Sequence, residues 1–396
     1  MRVSVREGDT LNYYSQLFDI PLRLILDSNR ELYGHSIKDI EKVSIPGYIK
    51  QDYMLKKGET IWSVSMDRGI ALDALYLMNP DLDPYSFTTG DIVYIPVRVT
   101  KRIVKVTKPY DYKSLMSDLN RLQVLYPFLK QESIGRSVLR KSIPEVRIGR
   151  GESKIHFNGS FHAREWITSA ILTTFLNDYC LSITTKRSIR GINLAYYYEN
   201  IDLSVVPMVN PDGVDLAIHG NRVAGDYKDH VMKLNDGSED FSKWKANIRG
   251  VDLNNQFPAK WEIEQARKPQ APAPENFPGE KALCEPESKA MATLTVESDF
   301  DRVLALHTQG QEIYWGFEGQ EPQEAERLAQ EFSRVSGYEA IQTLDSYAGY
   351  KDWFIQEWRR PGFTIECGEG DHPLPLEQFP KIYQETLGQL LAALYM

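Results

Sequence analysis

The sequence predicts an α/β protein in which a mixed sheet flanked by helices follows two copies of a small βααβ unit. Landmarks in the first hundred residues recur at a constant offset of 50, and short apolar runs alternate with helical periods after residue 108. The chain has 396 residues, 42% hydrophobic and 26% charged. That length and composition are sufficient for two or three globular domains.

The N-terminal segment contains the repeat. The echoed landmarks are Val5–Leu11 with Leu55–Ile61, Asn29 with Asn79, and Ser44–Pro46 with Tyr94–Pro96. We therefore interpret residues 2–48 and 52–98 as two copies of a unit with a strand, two helices and a closing strand. Both copies resemble the lysin motif (LysM) family, which implies binding to the N-acetylglucosamine-containing glycan of peptidoglycan or chitin. The alternative is a repeat that mediates only dimerisation or docking.

Residues 99–107 are predicted to be a linker, and a larger domain is predicted over 108–396. Apolar residues at helical spacing from Leu115 to Tyr126 predict its first helix, which ends at Pro127. Strands and helices then alternate, as in a sheet with helices on its faces. The predicted strands are 145–149, 154–161, 193–198, 203–209, 302–307 and 362–367, and the predicted helices include 166–181, 285–297, 322–336 and 376–394.

Two potential metal ligands lie where a predicted strand meets a predicted helix. His162 and Glu165, three residues apart, can turn toward one point and bind zinc through nitrogen and oxygen. His307, at the end of a short apolar run, is the candidate for a third ligand. The spacing of His162 and Glu165 alone is equally typical of capping at a helix start, so the zinc hypothesis depends on the distant partner.

A carboxylate also ends an apolar run at Phe363–Glu366. A buried glutamate must be paired, bound to metal or catalytic, and burial moves its pKa toward the range of a general base. The alternative is a glutamate at an exposed strand end.

The order of these motifs, with Asn210–Gly213 and Gly250–Asn254 between them, resembles the zinc metallocarboxypeptidase family over residues 108–396. The resemblance implies an eight-stranded mixed sheet and one Zn²⁺ per chain. It also implies residue roles: zinc ligation by His162, Glu165 and His307, catalysis by Glu366, oxyanion stabilisation by Lys245, orientation of the first histidine by Asp252, and substrate binding at Arg164, Asn254 and Asn255.

Two positions depart from the family pattern. Members that trim a free C-terminus carry, in the slot of Asn255, an arginine that grips the terminal carboxylate in bidentate fashion. Asn255 and Gln256 are neutral and cannot provide that contact. The position of the substrate-covering tyrosine falls on Leu344, with Tyr347 and Tyr350 nearby, so that role is unassigned.

The combination of glycan-binding repeats with this altered peptidase resembles bacterial endopeptidases of the cell wall. It implies hydrolysis of the γ-D-glutamyl–diamino acid bond, with meso-diaminopimelate as the diamino acid, in peptidoglycan stem peptides. The alternatives are a zinc carboxypeptidase acting on ordinary peptides and a non-catalytic peptidoglycan-binding protein. No oligomeric state is predicted.

Charge and composition exclude other classes of partner. The net charge of −9 argues against nucleic-acid binding. Cys180, Cys284 and Cys367 lie far apart, which predicts free thiols. The chain opens without an apolar signal core and contains no run approaching the about 18 apolar residues of a membrane span. We therefore expect no membrane partner and a cytoplasmic enzyme that reaches cell wall or cortex during sporulation, or alternatively the wall after lysis.

Overall fold

The structure is a computed structural model that describes residues 1–33, 36–81, 83, 89–343 and 345–396. Leu344, which the sequence placed in the slot of the covering tyrosine, lies outside the described residues. The chain forms two compact units. The N-terminal unit contains Met1–Ile103, Leu119–Lys130 and Asn177–Ala195, and the sheet unit contains Val104–Asp118, Gln131–Leu176 and Tyr196–Met396.

The N-terminal unit contains two antiparallel strand pairs, each with two helices between its strands. The elements are β1 (Arg2–Ser4), α1 (Leu11–Leu17), α2 (Leu22–Asp27), β2 (Lys42–Ser44), β3 (Tyr48–Met54), α3 (Ile61–Arg68), α4 (Leu72–Met78) and β4 (Ile92–Arg98). β1 pairs with β2 and β3 pairs with β4. Thr10 and Thr60, 50 residues apart, cap α1 and α3 through their side chains.

The echoed asparagines also make equivalent contacts. Asn29 donates to Ile25 O and Ser44 O and accepts from Ser44 N. Asn79 donates to Leu75 O and Tyr94 O and accepts from Tyr94 N. Each side chain therefore ties the end of a helix to the closing strand, which explains why an asparagine recurs at this offset.

The sheet unit is built on eight strands within the described residues. They are β5 (Lys130–Arg136), β6 (Ser142–Gly149), β7 (Ser153–Gly159), β8 (Ile201–Val206), β9 (Arg302–His307), β10 (Glu312–Trp315), β11 (Glu339–Gln342) and β12 (Gly362–Glu366), in the order β11-β10-β12-β9-β7-β8-β6-β5. Neighbours from β12 through β9 and β7 to β8 are parallel, whereas β10 runs antiparallel to β12 and β6 to β8. The predicted mixed sheet is confirmed.

Helices connect and cover the strands. They are α5 (Tyr112–Leu125), α6 (Ile167–Thr185), α7 (Leu194–Asn200), α8 (Pro211–His219), α9 (Lys228–Leu234), α10 (Trp261–Arg267), α11 (Pro286–Ser298), α12 (Gln323–Ser336), α13 (Tyr350–Trp358) and α14 (Phe379–Tyr395). One face of the sheet packs on a cluster that includes Phe161, Phe257 and Phe354. Because the four central strands are parallel, their carboxyl ends lie at one edge, where α/β sheets carry their sites.

The strand predicted at 193–198 is wrong, because this segment begins helix α7. Consecutive tyrosines favour a strand, but the Asn193 side chain accepts a hydrogen bond from Ala195 N at 3.1 Å and starts a helix. Leu194 and Tyr198, four residues apart, are both buried, while Tyr196 is 63% exposed. This burial follows the period of a helix and not that of a strand.

The three cysteines are free thiols, as predicted, and Cys180 and Cys367 are buried. Throughout the described ranges, helices fall short of the length and apolar character that crossing a membrane requires.

Candidate metal centre

Three side chains from two segments converge at the carboxyl edge of the sheet. His162 follows β7, and a 3₁₀ turn over Ala163–Glu165 places Glu165 just before α6. His307 is the last residue of β9. β7 and β9 are parallel neighbours, so the segments that follow them emerge side by side. The local junction and the sheet register together bring the predicted ligand set to one point.

The ligand atoms lie close enough to share one ion. His162 Nδ1 lies 2.9 Å from Glu165 Oε1 and 3.1 Å from His307 Nδ1, and His307 Nδ1 lies 3.1 Å from Glu165 Oε2. Tetrahedral zinc with bonds of about 2.0–2.1 Å places its ligands roughly 3.3 Å apart. Two imidazole nitrogens and a carboxylate oxygen are also the donor atoms that zinc prefers in proteins. The group therefore fits a zinc ion.

Glu165 is held in its charged form. Only 2% of the residue is exposed, and burial acts to raise its pKa. The neighbouring His162 and His307 outweigh burial and hold the pKa of Glu165 well below its usual range. A permanently ionised carboxylate at this position suits a divalent cation.

A buried acid and a buried lysine lie behind His162. Asp252 Oδ1 is 3.2 Å from His162 Nε2, and its Oδ2 is 2.7 Å from Lys245 Nζ. Burial opposes the charge of Asp252, but Lys245 and His162 outweigh it and hold the pKa of Asp252 far below its usual value. Asp252 thus favours the tautomer of His162 that carries its proton on Nε2, leaving Nδ1 as the ligand atom.

The ammonium group of Lys245 is already paired with other side chains at the site. Its ammonium contacts Asp252 and also donates to Asn276 Oδ1 at 2.9 Å. Burial acts to lower the pKa of Lys245, but the Asp252 carboxylate prevails and raises it. Lys245 is therefore a protonated cation that is fixed in place beside the metal centre.

Glu366 ends β12 directly opposite His307 in the parallel ladder. Its side chain is partly buried, and its Oε2 atom is enclosed and has no hydrogen-bond partner among the described residues. Burial raises the pKa of Glu366 to about 8. The alternative of an exposed strand end does not apply to this carboxyl, which has the environment of a general base.

The three predicted substrate-binding residues differ in how far their side chains are engaged. Arg164 donates to Lys243 O at 3.0 Å and to Glu275 Oε2 at 3.1 Å. The Asn254 carbonyl accepts from Tyr350 N, at the start of α13. Asn255 is half-buried, and its side chain makes no hydrogen bond to the described residues. The Asn255 amide is therefore available to a ligand, whereas the Oδ1 atom of Asn254 is already engaged.

His372 belongs to the site and was not predicted. Its Nε2 lies 2.7 Å from Thr308 O and 3.7 Å from Glu165 Oε1. The available signal was its position shortly after β12, because loops that follow the parallel strands meet at this edge. Tyr350, considered for a substrate cover, is instead fully buried and bonds to Thr295 Oγ1 at 2.8 Å.

Comparison with known proteins agrees with this architecture. The zinc carboxypeptidase family model matches residues 115–388, and the LysM domain model matches residues 53–96. A carboxypeptidase A from Helicoverpa armigera has a similar fold, with a TM-score of 0.56 at 20% identity over 73% of each chain.

Two sequence relatives extend over most or all of the chain. The gamma-D-glutamyl-L-diamino acid endopeptidase 1 of Lysinibacillus sphaericus is 50% identical over 396 residues, which is 100% of both chains. An uncharacterised protein of Bacillus subtilis is 45% identical over 297 residues, covering 74% of this chain and 79% of its own. With a catalytic unit of the carboxypeptidase fold, a His-Glu-His group that fits a metal ion and a LysM domain, this chain belongs to the zinc carboxypeptidase family and is a zinc metallopeptidase.

Proposed function

We propose that this peptidase hydrolyses the γ-D-glutamyl–diamino acid bond of peptidoglycan stem peptides, with meso-diaminopimelate as the diamino acid. The observation that carries the proposal is the 50% identity over the full length of a relative named for this linkage. Identity over the whole length includes both the repeat segment and the catalytic unit, so the combination of modules is shared as well as the chemistry.

Both N-terminal repeats are proposed to be LysM domains that bind the N-acetylglucosamine-containing glycan. The family model supports this for the second copy. The first copy, residues 2–48, has the same order of strands and helices and the same asparagine contacts. Residues 99–107 would then serve as the linker and residues 108–396 as the peptidase domain.

His162, Glu165 and His307 are proposed to hold one zinc ion per chain. When bound, zinc polarises a carbonyl oxygen and acidifies water. Glu366, with its unpartnered carboxylate oxygen, accepts a proton from the attacking water and then passes it to the leaving amine. Asp252 orients His162 during these steps.

Lys245 is proposed to stabilise the oxyanion that develops on the scissile carbonyl. Its ammonium is fixed by Asp252 and Asn276, so little reorganisation is needed when the charge develops. The same contact with Asp252 gives Lys245 a positioning role toward His162.

The absence of a carboxylate clamp supports cleavage within a peptide. Asn255 is neutral, and Gln256 next to it is committed elsewhere, because its Oε1 accepts from Cys284 N at 2.9 Å and Glu285 N at 3.1 Å. Arg164 and Asn254 complete the proposed substrate-binding group. A substrate that continues beyond the cleaved bond therefore meets no arginine in the slot of Asn255.

Mass spectrometry of muropeptides digested with the zinc-loaded protein tests the proposal. We expect products that end in D-glutamate and products that begin with the diamino acid. Release of single C-terminal residues from ordinary peptides would instead support the carboxypeptidase alternative. Binding to sacculi with no cleavage would support a wall-binding protein without activity.

A further inference from the structure

The row of side chains that contains Glu366 continues one strand further across the sheet. Glu366 pairs with His307 of β9 on one side and with Glu312 of β10 on the other. Directly paired residues project from the same face of a sheet, with Cβ atoms about 4.5–5.5 Å apart in an antiparallel pair. A proposed zinc ligand, the proposed proton acceptor and the Glu312 carboxyl therefore form one row at the edge of the site.

The Glu312 carboxyl is held by a tyrosine hydroxyl. Tyr314, on the same face, donates from its hydroxyl to Glu312 Oε2 at 2.5 Å. No lysine, arginine or histidine pairs with Glu312 in the part of the chain that the structure describes. Glu366 Oε2 is itself enclosed and has no hydrogen-bond partner among the described residues, so the two neighbouring carboxyl groups of the row leave acceptor oxygens for a ligand. A cationic group of a ligand beside this pair would gain a carboxylate partner.

The chemistry of the proposed substrate supplies such a cation on the appropriate side. Glu366 passes its proton to the leaving amine, so the leaving residue lies beside Glu366 and extends away from the zinc ligands. The next side chain in that direction is Glu312. The leaving residue is a diamino acid, whose second amine is an ammonium ion near neutral pH.

We propose that Glu312, held by Tyr314, binds the side-chain ammonium of the diamino acid and determines the preference of the enzyme for a diamino acid after the cleaved bond. This inference rests on the proposed function. It assigns to Glu312 a contact with the substrate and no part in bond cleavage.

Two synthetic stem peptides test it, L-Ala-γ-D-Glu followed either by meso-diaminopimelate or by L-2-aminopimelate, which lacks only the second amine. The zinc-loaded full chain should cleave the first peptide with a kcat/KM at least about tenfold higher. In Glu312→Gln, which retains a partner for Tyr314 but loses the charge, the ratio should fall below about threefold, mainly through slower cleavage of the diaminopimelate peptide.

Two further variants control the experiment. Glu339→Gln makes the same change at the exposed residue that pairs with Glu312 one strand further out, and it should retain most of the wild-type ratio. Glu312→Asp keeps a carboxylate and should retain more of the ratio than Glu312→Gln. Misfolding lowers both rates together, so the ratio still reports on recognition.

Each result has a defined meaning. Equal cleavage of both peptides by the wild type, or an unchanged ratio in Glu312→Gln, overturns the inference while the proposed function stands. Cleavage of neither peptide by the wild type overturns the proposed function and the inference with it.

Discussion

Two buried clusters of the sheet unit each combine a histidine with a glutamate, but only one of them brings three potential ligand atoms to a single point. Around His156 on β7, the contacts run outward along a chain: Nδ1 lies 2.9 Å from Ser204 Oγ, which donates to Glu145 at 2.6 Å, while Nε2 has no hydrogen-bond partner among the described residues. Around His307, one nitrogen from each of two imidazoles and a carboxylate lie within 3.1 Å of one another. Both clusters contain a histidine and a glutamate, so they differ in how the partners of each histidine are arranged.

Charge neutralisation shows the same difference. The chain of contacts from His156 ends at Arg147, which donates to Glu145 at 2.8 Å and to Asp202 at 2.8 Å. Burial lowers the pKa of His156 to about 3, so the ring stays neutral and packs on Phe300. In the His156 network, Arg147 pairs directly with the carboxylates, whereas at the His307 cluster Lys245 reaches the ligand group only through Asp252, so a metal ion can still bind there.

The largest expected effect comes from removing a ligand. In His162→Ala, we expect loss of most bound zinc and a fall in kcat of about a thousandfold or more, because both the ion and its orientation are lost. Elemental analysis and a stem-peptide assay measure the two quantities. Zinc should raise the Tm of the wild type but not of the variant. Undiminished zinc in His162→Ala would contradict the assignment of His162, Glu165 and His307 as the metal site.

Removing the proton acceptor should have the next largest effect. Glu366→Gln preserves shape and leaves the three ligands intact, so zinc content and Tm should be retained while kcat falls by about a hundredfold or more. Measurement of kcat on stem peptides, together with zinc analysis, tests this prediction. Loss of zinc in parallel with loss of activity would show that Glu366 acts as a ligand and not as a base.

Changes at the His156 cluster should alter the stability of the fold and its pH dependence, and leave catalysis unchanged. In the wild type the folded ring stays neutral down to pH about 3, whereas the ring in the unfolded chain takes a proton as pH falls below its ordinary pKa of 6.5. The stability that His156 contributes is therefore present above that value and is lost as pH falls. We expect the wild type to lose about 2 kcal/mol of this contribution between pH 7 and pH 5.

His156→Asn lacks the titrating ring and provides the comparison. Urea unfolding of both proteins at the two pH values should give a smaller loss for the variant. The variant should also keep its zinc and, where it is folded at neutral pH, its kcat. A strong catalytic defect in folded His156→Asn would remove the distinction between the two clusters.

The sequence predicted the parts of this comparison that depend on local pattern. His162 and Glu165 follow from a strand meeting a helix, and His307 and Glu366 follow from apolar runs that end in a polar residue. The row that joins His307, Glu366 and Glu312 could not be predicted, because it depends on which strands pair and in what register. β10 and β11 have four residues each, too few for their alternation to be recognised.

Local pattern also failed where two propensities compete. The tyrosines of 196–198 favour a strand, and the helix found there depends on a cap and on burial of every fourth residue. Local pattern also does not distinguish His156 from His307, since each is a histidine in an apolar strand. Only their partners, which come from distant segments, identify one as structural and the other as part of the metal centre.

The smallest expected effect comes from adding a guanidinium at position 255, within the proposed substrate-binding group. Asn255→Arg places a guanidinium where the side chain is half-buried and makes no hydrogen bond to the described residues. An arginine there can bind a free carboxylate in bidentate fashion. The kcat/KM for substrates that end one residue beyond the cleaved bond should therefore rise relative to that for substrates extended by D-alanine. We expect a change of about tenfold, or about 1.4 kcal/mol, in the ratio of kcat/KM values. If Asn255→Arg binds zinc and folds but leaves the ratio unchanged, Asn255 does not determine where the enzyme cuts, and the residues on the far side of Glu366, above all Glu312, become the place to look for specificity.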